Sequence, residues 1–430
     1  MSKFRQGALC TLIATAFAGG AIAAPCSGPQ ADAQPIPPGT PLTLDIVLEQ
    51  VREASPDVRQ AALETLAREA DALQAGRALN PSISLNVENF SGSGFRSGFD
   101  QAETTLSVEQ TFQLGGKREK RMRAAQAIAS LGSAECAAIL RQSELEAALL
   151  FYDLLAASQA VDLAEQAADL ADTLLETVTK RVEAGAAAPP EQSRARADAA
   201  ALRAAVSQAQ GNLEQSRYDL ATFWGSADPQ FSSPNPNLSQ VSEPEFEGRL
   251  EATHPQMAMA SASEFARRAE QEIARASAMP DLTLSAGVRQ FEDTGDSALL
   301  FGISVPIPLF DQNRDGARAA GYRADAEKLN RVAVEAKLLA SQRAAVAQVR
   351  AARDRLTLLE NEALPAARSA YDASVRGYAA GKFDLTTTLD ARKGLIEASM
   401  AVIAANRDLN VESMRLRSII GAAPFDGDFQ

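Results

Sequence analysis

Histidine is almost missing from this chain: His254 is the only one. A Ser-His-Asp triad or a histidine-rich metal centre therefore has no material away from that position. Aromatic residues make up only 5% of the sequence, with a single Trp. Alanine abounds instead, and a chain poor in rings and rich in alanine suits closely packed helices. Surplus positive charge is also absent. Lys and Arg number 42 against 55 Asp and Glu, a net charge of −13. Such an acidic chain is a poor partner for nucleic acid. Past the N-terminal segment no unbroken run of 18 apolar residues occurs, so no transmembrane helix is expected.

What is present begins with an export pattern. Lys3 and Arg5 precede the apolar stretch Ala8 to Ala18, and Ala21-Ile22-Ala23 offers a small-x-small cleavage site. Residues 1–23 read as a signal peptide. Loss of Lys3 and Arg5 takes the net charge from −13 to −15. Of the three cysteines only Cys26 and Cys136 survive cleavage. In an oxidising compartment they could pair, or remain free. Cys26 could alternatively carry a lipid, although Pro25 fits a lipidation signal poorly.

The sequence repeats. Ser55-Pro56 opens one helical segment and His254-Pro255 another; Asn80-Pro81 closes the first and Met279-Pro280 the second, at the same offset. Alternating runs follow in each half: Ile83, Leu85, Val87 and then Leu106, Val108, Phe112; Leu282, Leu284, Ala286 and then Phe301, Ile303, Val305. Alternation marks half-buried strands. The expected strands span 83–90, 104–112, 282–291 and 299–309, each near the length that crosses a bilayer at a tilt.

Helix follows each hairpin. From Lys117 to Ala184 there is one glycine and no proline, and Leu163, Leu170, Leu174, Val178 and Val182 make a helical stripe. At 1.5 Å per residue this run is roughly 100 Å long, too long for an ordinary globular domain. It breaks at Arg181 to Pro190 and resumes to Trp224. The second half copies it: helix from about Ala317, a break at Gly377 to Leu389, helix to Ile420. Pro365 has no counterpart in the first half and predicts a kink. The fold class is mainly α with a small β part, a duplicated helix–β-hairpin–long helical hairpin. The divisions are an extended Pro-rich segment at 24–54, a first repeat at 55–225, a linker at 226–247, a second repeat at 248–421 and a tail at 422–430.

Four strands cannot close a barrel, and an open edge does not survive in lipid. Either the strands stay in water or several chains share one barrel; two chains would supply eight strands and three would supply twelve. Phe90, Phe95, Phe99, Phe112, Phe291, Phe301 and Phe310 all lie in or beside the strands, as an interfacial aromatic girdle would.

Three strings carry a resemblance. Thr105 to Arg118 (TLSVEQTFQLGGKR), Val305 to Arg314 (VPIPLFDQNR), and Arg376 to Lys382 (RGYAAGK) followed by Leu389-Asp390-Ala391 are similar to strand exits and tip segments of TolC-type outer-membrane efflux factors. Within that family the heavy-metal, cobalt–zinc–cadmium type branch is the nearest in pattern. The resemblance implies a homotrimer with a 12-stranded barrel in the Gram-negative outer membrane, on an α-helical barrel reaching into the periplasm. It implies a passive exit duct working with a periplasmic adaptor (membrane fusion protein) and an inner-membrane RND pump, exporting heavy-metal cations. It also implies adaptor docking at the two breaks, through Arg181, Gly185, Tyr378, Gly381 and Leu385. Asp390 becomes a pore-gate candidate, although Thr387 stands where some members carry a second aspartate.

Other chemistry is thin. His254, Met257 and Met259 suggest soft-metal ligands, but two residues apart on a helix Met257 and Met259 face different ways; His254 reads better as a helix start. Gly115-Gly116-Lys117-Arg118 lacks phosphate-loop spacing and reads as a tight turn. No cofactor motif or catalytic set is found, so an exported enzyme is disfavoured. The alternative to the duct is a soluble periplasmic coiled-coil adaptor with its strands in water.

Overall fold

The computed structural model describes residue 26 and residues 36–234 and 254–420. The signal segment, the middle and end of the inter-repeat linker, and the 422–430 tail lie outside the described residues.

The two halves follow one plan. The first runs α1 (Leu44–Ala54), α2 (Pro56–Ala75), β1 (Ser82–Glu88), β2 (Glu103–Phe112), α3 (Lys117–Glu183) and α4 (Pro189–Ala221). The second runs α5 (Pro255–Ala276), β3 (Leu282–Phe291), β4 (Ser297–Ser304), α6 (Arg314–Leu358), α7 (Leu364–Ala379) and α8 (Leu385–Ile420). Prolines sit in the first turn of α2, α4 and α5, where their missing N–H is one the helix would leave unpaired anyway. The Thr43 hydroxyl accepts from Ile46 N at 3.4 Å to cap α1, and Asp384 caps α8 through Thr387 N at 2.8 Å.

Several boundaries differ from expectation; β1, for one, ends at Glu88 rather than at 90. The 24–54 segment is not extended throughout: Leu44–Ala54 is a helix with Leu44, Val47, Leu48 and Val51 on its buried face. Its i, i+3, i+4, i+7 spacing was present but overshadowed by the upstream prolines. Residues 36–41 hold a turn at Pro38-Gly39 and lie along the start of the linker, where Gly39 N donates to Gln230 O at 3.0 Å and Ser232 N to Thr40 O at 3.0 Å. Strand β4 ends at Ser304, not at 309, because Pro306 and Pro308 cannot donate to a ladder. Both helical breaks are narrower than expected: Arg181 lies in α3 and Pro190 in α4, while Gly377 lies in α7 and Leu385 and Leu389 in α8.

At Pro365 the helix does not simply bend. Leu359–Ala363 forms a π-helical turn directly before it. The proline lacks a donor and its ring crowds the carbonyl four residues back; widening one turn accommodates both.

The core sits where the halves meet. Leu44, Val47, Leu48 and Val51 of α1 pack with Phe151, Leu154 and Leu155 of α3, Leu220 of α4, Phe231, and Val411 and Met414 of α8. Full burial of each such side chain contributes about 1.5–3 kcal/mol. Elsewhere the contacts are small: α3 buries Ala124, Ala127, Gly132, Ala147, Ala148, Ala167, Ala168 and Ala171. That alanine content gives α3 a stretch that is long and apolar enough, by length and composition, to cross a membrane. The run-length expectation missed it because isolated polar residues interrupt the run.

Cys26 and Cys136 are joined by a disulfide, with Cα atoms 6.0 Å apart. Cys136 is fully buried on α3, beside Ala61 and Ala62 of α2.

Candidate functional site

The strands form one sheet in the order β1-β2-β3-β4, every pair antiparallel. The two hairpins therefore join across the repeat boundary, Leu106 opposite Val288. Register sorts most of the side chains, Gln110 on the apolar face and Leu300 on the polar face being exceptions. One face carries Ile83, Leu85 and Val87, then Leu106, Val108 and Phe112, then Leu282, Leu284 and Val288, then Leu299, Phe301 and Ile303. Leu299 is 88% exposed and Phe301 73%. Water would not tolerate so continuous an apolar surface; lipid would. The other face is polar. Ser84 and Ser107 hydroxyls share a hydrogen bond of 2.8 Å, and Thr111 and Thr283 one of 2.9 Å.

The polar face is also the crowded one. A β carbon on Gly287 would lie 2.7 Å from Leu106 O and 2.9 Å from Ser107 Cβ; one on Gly302 would lie 2.5 Å from Ser285 Oγ. Glycines there leave room for the neighbouring strand's atoms to approach closely. The sheet's outer strands, β1 and β4, each keep one edge unpaired among the described residues.

The phenylalanines divide. Phe90, Phe95, Phe99, Phe112, Phe301 and Phe310 are exposed, and Phe90 stacks on Phe99 with centroids 5.6 Å apart. Phe291 pairs with Glu103 and so falls on the polar face, outside any lipid-facing girdle.

At the far end of the helices the two breaks are built alike. Gly185 has φ 68° and Gly381 φ 73°, the left-handed conformation that ends a helix. Ala186 N closes on Arg181 O at 2.8 Å, and Lys382 N on Gly377 O at 2.8 Å. The predicted tip residues are brought together. The Arg181 guanidinium stacks 4.4 Å over the Tyr378 ring and its Nη2 donates to Ala186 O at 3.2 Å. The buried Tyr378 hydroxyl donates to Glu191 Oε2 at 2.9 Å. Burial first, then the bond to Glu191, pushes the Tyr378 phenol up to about 12, so it remains a donor at any physiological pH. Leu385 is buried with Leu174, Val178 and Leu389, so its side chain is core rather than surface.

Asp390 is exposed on α8 and makes no hydrogen bond or ion pair among the described residues. Thr387, its neighbour one turn back, is occupied locally: its hydroxyl lies 2.6 Å from Asp384 Oδ1. Those Thr387 hydrogen bonds hold the Asp384 carboxyl below its usual range.

Sequence reasoning missed the residues that tie the two hairpins together. Glu191 reaches Tyr378, Arg194 Nη1 donates to Thr386 Oγ1 at 2.9 Å, and the buried Arg392 pairs with Asp198. Only Glu191 left a signal, an acid in the first turn after Pro189-Pro190. The other partners lie on helices from opposite halves, which no local pattern reveals.

His254 is a helix start, as its place before Pro255 suggested. It is buried, and its Nδ1 accepts from Gln256 N at 3.2 Å. No cluster able to hold a metal ion occurs among the described residues.

The chain as a whole is similar to known proteins. The cobalt-zinc-cadmium resistance protein CzcC of Cupriavidus metallidurans is 28% identical over 365 residues, covering 83% of this chain and 85% of the relative. The nickel and cobalt resistance protein CnrC of the same organism is 30% identical over 308 residues, covering 70% and 72%. Among solved structures, CusC superposes with a TM-score of 0.77 at 17% identity, over 93% of this chain and 97% of its own. VceC of Vibrio cholerae follows the same fold at 0.74 and 20%, over 88% and 96%. The family model for outer membrane efflux proteins matches residues 47–226 and 248–422, one stretch per repeat. With both repeats matched, the chain belongs to the outer membrane efflux protein family.

Proposed function

We propose that this chain is the exit duct of a tripartite heavy-metal efflux system in the Gram-negative outer membrane. The observation that carries this reading is the sheet: four strands, one lipid-compatible face, one polar face, and two free edges. Three copies would pair β1 of one chain with β4 of the next and close a 12-stranded barrel, leaving no edge in lipid. The polar face would then line the lumen. Beneath it α3, α4, α6, α7 and α8 would form a tunnel into the periplasm, α3 alone being roughly 100 Å long.

Relatives named for cobalt, zinc, cadmium and nickel resistance support divalent cations as the cargo. The duct supplies no energy. An inner-membrane RND pump would drive transport, and a periplasmic adaptor would dock at the tips around Gly185 and Gly381. Asp390, exposed and unpaired beside the second tip among the described residues, would gate the pore in the trimer.

Membrane fractionation and native mass spectrometry in detergent test the assembly. A trimer from the outer-membrane fraction is expected; a stable monomer or dimer would refute it. Deletion of the gene should lower the tolerated concentration of cobalt, zinc or cadmium.

A further inference from the structure

All the charges carried by the four strands stand on the polar face: Glu88, Glu103, Glu109 and Arg289. Arg289 is the only cation among them. Glu88 and Glu103 are direct cross-strand partners, a like-charge pairing that is destabilising on its own. Arg289 spans both. Its Nη1 donates to Glu103 Oε2 at 2.8 Å, its Nη2 to Glu88 Oε2 at 3.3 Å, and its Nε to Thr105 Oγ1 at 2.9 Å. Asn89 Nδ2 also donates to Glu103 Oε1 at 2.8 Å. Both carboxylates are thus held in place rather than left to swing.

The cluster has a definite address. Glu88 ends β1, Glu103 begins β2, and Arg289 is near the end of β3. These ends border the 89–102 and 292–296 loops, opposite to the ends that lead into the helices. In a barrel this is the outer mouth.

The geometry points to Glu88, Glu103 and Arg289 as a charge-selecting girdle at the outlet, favouring hydrated cations over anions. This rests on the channel reading above. Each chain contributes two fixed carboxylates and one guanidinium, and three chains give the mouth a net negative ring. Arg289 limits that charge, so that a divalent cation is drawn through without being retained. Fixed charge at a constriction biases which ions enter.

Reversal potentials in a planar bilayer under a KCl gradient test this. The parent channel should prefer K⁺ over Cl⁻. Arg289→Gln should raise the cation-to-anion permeability ratio by about twofold or more, and Mg²⁺ added on the loop side should block it more strongly. Glu88→Gln with Glu103→Gln should lower or invert the ratio. Arg289→Lys should keep the parental value. If Arg289→Gln fails to assemble, the paired Glu→Gln variant carries the test. Conducting variants with unchanged reversal potentials would overturn the girdle while leaving the channel intact. A parent that forms no pore would overturn the channel reading itself, and the girdle with it.

Discussion

His254 shows how one residue can combine a structural task with a titration. Burial, reinforced by the nearby Arg141 charge, holds its imidazole below the ordinary value despite a bond to the Ser418 backbone that pulls the other way. The neutral ring is needed, because Nδ1 accepts from Gln256 N. A group with a depressed basic pKa binds fewer protons when folded than unfolded. Its stabilisation is therefore complete above the unfolded value of about 6.5 and is lost as pH falls below it. Thermal melts of the detergent-solubilised protein at pH 7.5 and 5.5 should show the acid loss. His254→Asn keeps an acceptor without titrating and should flatten that dependence, whereas His254→Ala should lose about 1 kcal/mol at neutral pH through the missing cap. Identical pH slopes in the parent and His254→Asn would exclude this account. Asp390 makes the complementary case. Exposed and unpaired within one chain, its expected role depends on its two symmetry mates. In the proposed trimer three such carboxylates across a narrow axis would repel one another. Asp390→Ala should change single-channel conductance and weaken block by multivalent cations added on the tip side; traces matching the parent would remove the gate role.

At the scale of elements, the repeat was legible because proline and glycine punctuate both halves at equal spacing. Strand alternation was legible for the same local reason. The pairing of β2 with β3 was not, since nothing in either hairpin encodes its neighbour beyond the shared alternation. Nor were the ties from α4 to α7 and α8, whose partners are some 190 residues apart in sequence. The site residues divide in the same way: Gly185 and Gly381 announce themselves by conformation, while Glu191 and Asp198 matter only through distant partners. Gly381 offers a clean test of docking. A β carbon there would meet only the Arg181 Nη2 atom, at 3.8 Å, so a larger side chain points into open space. The positive φ adds roughly 1–2 kcal/mol of strain, which a long hairpin can bear. Gly381→Leu should assemble as a trimer yet fail to restore metal tolerance to a deletion strain; restored tolerance would argue against docking at this break. The disulfide is the other element-level device. It links residue 26 to the first third of α3 across 110 residues, and a link of that span stabilises by about 2–5 kcal/mol. A Cys26 sulfur committed to Cys136 has none left for a thioether lipid. Non-reducing electrophoresis should show a mobility shift lost in Cys136→Ser, and metabolic labelling of the parent with palmitate should give no signal.

Over the whole molecule, the proposed barrel would give the two sheet faces different solvents, and that asymmetry is open to a paired substitution. On the apolar face Ala286 lies between Val108 and Phe301, and in the proposed barrel its methyl would face hydrocarbon. Ala286→Val adds apolar surface where apolar surface is wanted, so trimers should form normally. Its neighbour Gly287 stands on the polar face. A side chain there meets Leu106 O at 2.7 Å and Ser107 Cβ at 2.9 Å, and the Leu106 carbonyl belongs to the β2–β3 ladder. Gly287→Val must therefore push the strands apart at the seam between the repeats. Every protomer carries that seam, so a closed barrel would suffer the defect three times. The helices make their own contacts through α1, α3 and α8 and should persist. The expected outcome is a protein with helical circular dichroism close to the parent, but without a heat-resistant trimer band and without pore activity. If Gly287→Val assembled as readily as Ala286→Val, the crowded polar face would not be the inside of a barrel, and lipid would have to be placed on the other side of the sheet.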